Sequence, residues 1–126
     1  MKKIFLLTFC LVFLLSSAVL AQPQPPQISP VFDLELNFLS LDITHQYTGD
    51  GMTEHIKEIT VFHNGKEVIY QTPGRQLEET ETFLFYMPAV TQGDEIEVRA
   101  ASTVAGSSSV TFQVRGDYIA DNVVEE

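Results

Sequence analysis

From Val31 onward, apolar and polar residues alternate with a period of two. Phe32, Leu34 and Leu36 interleave with Asp33, Glu35 and Asn37, and then Leu39, Leu41 and Ile43 interleave with Ser40, Asp42 and Thr44. Successive side chains on a strand point to opposite faces, so this pattern predicts two half-buried strands. A tight turn near Asn37-Phe38 would pair them antiparallel. The Thr48–Thr53 segment, with Gly49 and Gly51, reads as a loop. Ile56 to His63 is a third strand. Asn64-Gly65 follows it, and a type I′ turn needs positive φ at both central residues, so Glu67–Thr72 returns as the fourth strand of a hairpin. Pro73-Gly74 suits a type II turn. Glu78 to Glu81 is a solvated acidic run. Thr82–Met87 is a fifth strand with Phe83, Phe85 and Met87 on the core side, stopped by Pro88. Gly93-Asp94 turns into a sixth strand, Glu95–Ala101, and Gly106-Ser107-Ser108 turns into a seventh through Val110, Phe112 and Val114. Seven short strands at regular spacing predict an all-β protein: a seven-stranded immunoglobulin-like antiparallel β-sandwich over residues 31–115. No segment keeps a helical period, and no repeat is present.

The ends differ from this body. Lys2 and Lys3 precede an apolar run from Ile4 to Leu15, and Val19-Leu20-Ala21 ends on a small residue. Residues 1–21 therefore read as a signal peptide, and the chain as secreted or periplasmic. The apolar run is too short for a comfortable membrane span, so no membrane association is expected after cleavage. Cys10 is the single cysteine and lies inside that run, so the mature chain of about 105 residues forms no disulfide and relies on its core. Gln22–Pro30 (QPQPPQISP) reads as a proline- and glutamine-rich linker, and residues 116–126 as an acidic tail. Without Lys2 and Lys3, five basic residues face 17 acidic ones, a mature charge of −12. Such a surface repels nucleic acid and anionic lipid.

Candidate chemistry is concentrated between His45 and Gly65. His45 ends the second strand and His55 precedes the third, so a sandwich can bring both to one pole, with Asp50 or Glu54 as further oxygen donors. His63, beside the Asn64-Gly65 turn, belongs to the opposite pole. Imidazoles bind transition metals, which makes His45 and His55 the candidate metal ligands. A structural zinc site takes four ligands and a catalytic one usually three, so this pair is short of a set. No nucleophile elbow, phosphate loop, calcium loop or N-linked glycosylation signal stands in the chain.

The series His45, Met52-Thr53-Glu54-His55-Ile56 and Ile59 resembles the iron-binding domain of superoxide reductases (desulfoferrodoxin and neelaredoxin). Asn64-Gly65-Lys66, Met87-Pro88 and Gly93-Asp94-Glu95-Ile96-Glu97-Val98 resemble both that family and the Z subunit of the Sox thiosulfate carrier. The resemblance spans roughly residues 31–115 and implies an immunoglobulin-like sandwich. It also implies that His45 and His55 stand at two of the iron-ligating positions. The family's cysteine and a further histidine fall where this chain reads Ala101-Ser102-Thr103-Val104-Ala105-Gly106, and Gln22–Pro30 holds no histidine. Without the thiolate and two imidazoles, superoxide reductase activity is not expected. The Z subunit needs no cysteine of its own, because its partner carries the sulfur. The expectation is thus a non-catalytic module without a cofactor that binds a protein partner or assembles as a homo-oligomer. The alternative is a redox-related metal-binding protein using His45 and His55.

Overall fold

The computed structural model describes residues 24–116 and 124–125, and two antiparallel sheets packed face to face form an all-β sandwich. One sheet has three strands in the order β1 (Gln27–Asp33), β2 (Phe38–Thr44) and β5 (Thr80–Tyr86). The other runs β4 (Lys66–Gln71), β3 (Ile56–His63), β6 (Glu95–Ser102) and β7 (Ser107–Gln113), with the two-residue β8 (Val124–Glu125) beside β7. Among the described residues, seven strands of ordinary length and no helix agree with the alternation in the sequence, and the architecture is compatible with an immunoglobulin-like fold. Hairpins join β1 to β2, β3 to β4 and β6 to β7, while the connections from β2 to β3, β4 to β5 and β5 to β6 cross between sheets.

Turn chemistry explains which strands stay together. Asn64 and Gly65 take φ of 50° and 83°, the paired positive values of a type I′ turn, and this tight loop holds β4 against β3. Asn37, with φ 58°, closes the β1–β2 turn, where Asp33 Oδ1 accepts the amides of Glu35 and Leu36 at 2.9 and 3.2 Å. Gly74 does not adopt the positive φ that a type II turn at Pro73-Gly74 demands. The chain from Thr72 to Glu79 crosses to the other sheet without that turn.

The core lies between the sheets and draws on the inward face of nearly every strand. Phe32, Leu39, Leu41, Ile59, Val61, Ile96 and Val98 are fully buried, and Met87 and Val90 close one end. At about 25 cal/mol per Å² of apolar area buried, this shared interior is the main stabilising term of a domain without disulfides. Phe83 and Phe85 take the core side of β5 as expected, but remain half-buried because β5 is an edge strand.

The start of the sandwich differs from expectation. β1 begins at Gln27, inside the stretch read as a linker, and buries Ile28, Pro30 and Phe32. Proline is tolerated there because β1 has a neighbour on one side only. Leu34 and Leu36 consequently fall in the turn, where Leu34 still touches the core and Leu36 is 63% exposed. The leader assigned to residues 1–21 lies outside the described residues, as does most of the tail assigned to 116–126. Among the described residues, no helix is long and apolar enough to cross a membrane.

Candidate functional site

His45, one residue beyond β2, is the most deeply buried polar side chain, 1% exposed. Its Nδ1 lies 2.7 Å from Gln76 Oε1, and its Nε2 lies 2.6 Å from Ser102 Oγ. Gln76 Nε2 donates to the carbonyls of His45 and Glu78 at 2.6 and 2.9 Å. Both amide protons are therefore engaged, and Oε1 must accept from a protonated Nδ1. A neutral ring then has its lone pair on Nε2, where it accepts the Ser102 hydroxyl proton. Ser102 Oγ in turn accepts the amides of Val104 and Ala105, both at 3.0 Å. Each buried donor and acceptor in the chain Gln76–His45–Ser102 is satisfied, as the low-dielectric interior requires.

The backbone around this chain is equally tied. The His45 amide donates to Glu79 O at 2.8 Å, and the Gln76 amide donates to Gly51 O at 2.8 Å. A Cβ on Gly51 would come 1.7 Å from Gln76 O, so glycine is required there by close approach. The three connections that follow β2, β4 and β6 are thereby locked together at one pole.

His55 shares that pole. Its neighbour Ile56 pairs with Ser102 across β3 and β6, and its amide donates to Thr103 Oγ1 at 3.1 Å. Its Nδ1 is buried without a hydrogen-bond partner. The carboxylates expected to help are engaged in their own loop. Glu54 accepts the amide and hydroxyl of Thr48 at 2.6 and 2.9 Å, and Asp50 Oδ1 accepts the Met52 amide at 3.2 Å. Among the described residues, no group of three or more histidine, cysteine, aspartate or glutamate side chains is arranged to hold a metal ion. The histidines are thus brought to one end as expected, but both His45 nitrogens already have partners.

His63 lies at the opposite pole. Its Nε2 donates to Asp94 Oδ2 at 2.7 Å, and the Thr91 amide donates to the same oxygen at 2.9 Å. The His63 hydrogen bond first, and then that amide, hold the Asp94 carboxyl well below the usual carboxylate range. Asn64 exchanges two hydrogen bonds with Glu95 beside them, which pins the hairpin turn to the start of β6.

A second feature lies on the solvent side of the three-stranded sheet. Register places Val31, Ser40 and Leu84 in one row across β1, β2 and β5, and Asp33, Phe38 and Tyr86 in the next. The rings of Phe38 and Tyr86 stack at 5.4 Å with a 47° tilt. Leu84 is 66% exposed and Tyr86 61%, so four neighbouring apolar side chains, including Val31 and Phe38, meet solvent on one face. The alternation of β2 and β5 contained this face, because Phe38, Leu84 and Tyr86 occupy the positions opposite the core stripe. Gln76, by contrast, sits in an irregular connection with no periodicity to mark it.

Comparisons with protein-family models, with curated proteins and with solved structures each return no match. What the fold and these sites define is an all-β sandwich with a hydrogen-bonded clamp at one pole and an apolar outer face on its smaller sheet.

Proposed function

We propose that this chain is a secreted or periplasmic, non-catalytic β-sandwich module that binds another protein. The observation that carries the reading is the contiguous group Val31, Phe38, Leu84 and Tyr86 on the outer face of the three-stranded sheet. Single exposed apolar residues are ordinary, whereas a contiguous group on a soluble domain marks an interaction surface. The resemblance of the motif order to the Sox Z subunit supports a scaffold role, and the signal-peptide pattern of residues 1–21 supports export. Ser102, which the resemblance to the reductases would set in place of their thiolate, has its hydroxyl engaged by His45 and two backbone amides. The test is capture by the immobilised mature chain from extract of the organism that makes it, beside a Phe38→Ser, Leu84→Ser double variant. A partner retained by the native chain and lost by the folded variant is the expected result. An identical set of retained proteins on both would sink the reading.

A second reading, metal binding through His45 and His55, draws on the unpartnered Nδ1 of His55. It requires a metal to displace Gln76 or Ser102 from His45. Elemental analysis of untagged protein decides it, since stoichiometric metal must fall in both His45→Ala and His55→Ala.

A further inference from the structure

The four lateral edges of the sandwich are not equally protected. An open strand edge is a template for pairing with another chain, and stable domains blunt it with proline, lysine, bulges or a covering segment. β1 carries Pro30 in its middle. β4 begins at Lys66, and the β3–β4 ladder shifts register between Val61 and Phe62. β7 is partly covered by β8, with Val110 opposite Glu125 and Thr111 opposite Val124. β5, with the sequence TETFLFY, has no proline, lysine, bulge or covering segment, and Glu81 near its start is its one charged residue. It pairs with β2 alone, in unbroken register over seven residues from Thr80 to Tyr86.

The surroundings of β5 define what it would accept. A cleft of about 170 Å³ lies at the C-terminal end of β5, lined by Val68 and Ile69 of β4 and by Tyr86, Met87 and Val90. That space suits an apolar side chain from an added strand. The N-terminal end of β5 follows Glu78 and Glu79 and includes Glu81. No lysine or arginine occurs in residues 24–56 or 76–98, which contain the whole three-stranded sheet, and Arg75 is the cation nearest β5 along the chain before it. Asp33, Glu35 and Asp42 add to its negative charge. A second copy would set two such cation-free sheets edge to edge, so charge disfavours self-pairing and favours a basic partner.

We propose that β5 is a strand-addition site for an extended protein segment whose apolar residues are flanked by lysine or arginine. Backbone hydrogen bonds would supply affinity, and the cleft and acidic flank would supply selection. The inference rests on the protein-binding reading and names the partner's chemistry. The probe is a short peptide of alternating valine and threonine with a lysine pair at each end, compared with its glutamate-ended counterpart. Amide hydrogen exchange of the full mature chain should slow at alternate residues of β5 with the lysine peptide alone. Leu84→Lys and Glu81→Lys, both at surface-facing or partly exposed positions, should each weaken binding at least about tenfold, equal to about 1.4 kcal/mol. If Leu84→Lys does not fold, Glu79→Lys in the exposed loop takes its place. Equal binding of both peptides, protection at another edge, no binding, or a β5-mediated dimer in sedimentation would each overturn the proposal. Failure here with partner capture still dependent on Phe38 and Leu84 would remove strand addition and leave the protein-binding reading standing.

Discussion

Replacing Gln76 with alanine tests whether the buried clamp stabilises the fold as its geometry requires. The change removes three side-chain hydrogen bonds at 2.6, 2.7 and 2.9 Å. The Glu78 carbonyl is near solvent and can recover a partner from water. The Nδ1–H and the carbonyl of His45 are buried and cannot readily do so. A buried polar group left without a partner costs about 1–3 kcal/mol, so the two together cost about 2–6 kcal/mol. Water entering the vacated space offsets part of this, and we expect a loss of about 2–4 kcal/mol. For a domain of this size, that lowers Tm by at least about 8 °C. Gln76→Glu is the sharper variant. At neutral pH it still accepts from Nδ1–H but turns an oxygen toward the carbonyls of His45 and Glu78, so it should be no more stable than the alanine variant. The chain has no tryptophan, so guanidinium unfolding is followed by far-UV circular dichroism. A loss below about 0.5 kcal/mol for Gln76→Ala, the range of ordinary surface substitutions, would refute the argument, as would a Gln76→Glu variant as stable as the native chain.

Other expectations follow from separate parts of the molecule. Gly51→Ala forces a Cβ into Gln76 O and should cost about 1–3 kcal/mol in the same unfolding assay, with the loss shrinking in a Gln76→Ala background because the loops are already loosened. Phe32→Ala should cost about 3–5 kcal/mol and Leu36→Ala less than about 0.5 kcal/mol, since Phe32 is fully buried and Leu36 is exposed in the turn. Asp94 has a depressed folded-state pKa, so its contribution to stability is present above the ordinary carboxylate value of about 3.9 and fades as pH falls below it. Asp94→Asn should accordingly flatten the dependence of the unfolding midpoint on pH below about pH 4, and an unchanged slope would count against a role for those hydrogen bonds to Asp94.

Much of the fold was legible because a half-buried strand writes its two faces into alternate residues. β3 occupies the expected Ile56–His63, and Asn64-Gly65 turns as its residue types demand. The first strand was displaced toward the C-terminus because proline argues against a strand and Leu34 and Leu36 continue the period. Neither signal says that an edge position tolerates Pro30, or that the Asp33 side chain starts the turn at once. The candidate site was legible in part. His45 and His55 reach one pole as strand-end residues should, but Gln76 arrives from a connection whose path depends on the packing of both sheets. Ser102 drew notice only through a resemblance that no comparison supports, and its hydrogen bond to His45 has no sequence signature.

The clamp also bears on the order of events in folding. His45 reaches across 31 residues to Gln76 and across 57 to Ser102, joining connections that lie apart until both sheets exist. The entropy of closing such loops is met mainly by strand pairing and core burial, and the polar chain can form only after they have placed its members. Interactions absent from the transition state slow unfolding without hastening folding. The clamp is therefore a latch on the way out of the native state, and Gln76→Ala should raise the unfolding rate while leaving the refolding rate nearly unchanged. Wherever unfolded chain is lost to proteases, that lifetime matters more than equilibrium stability.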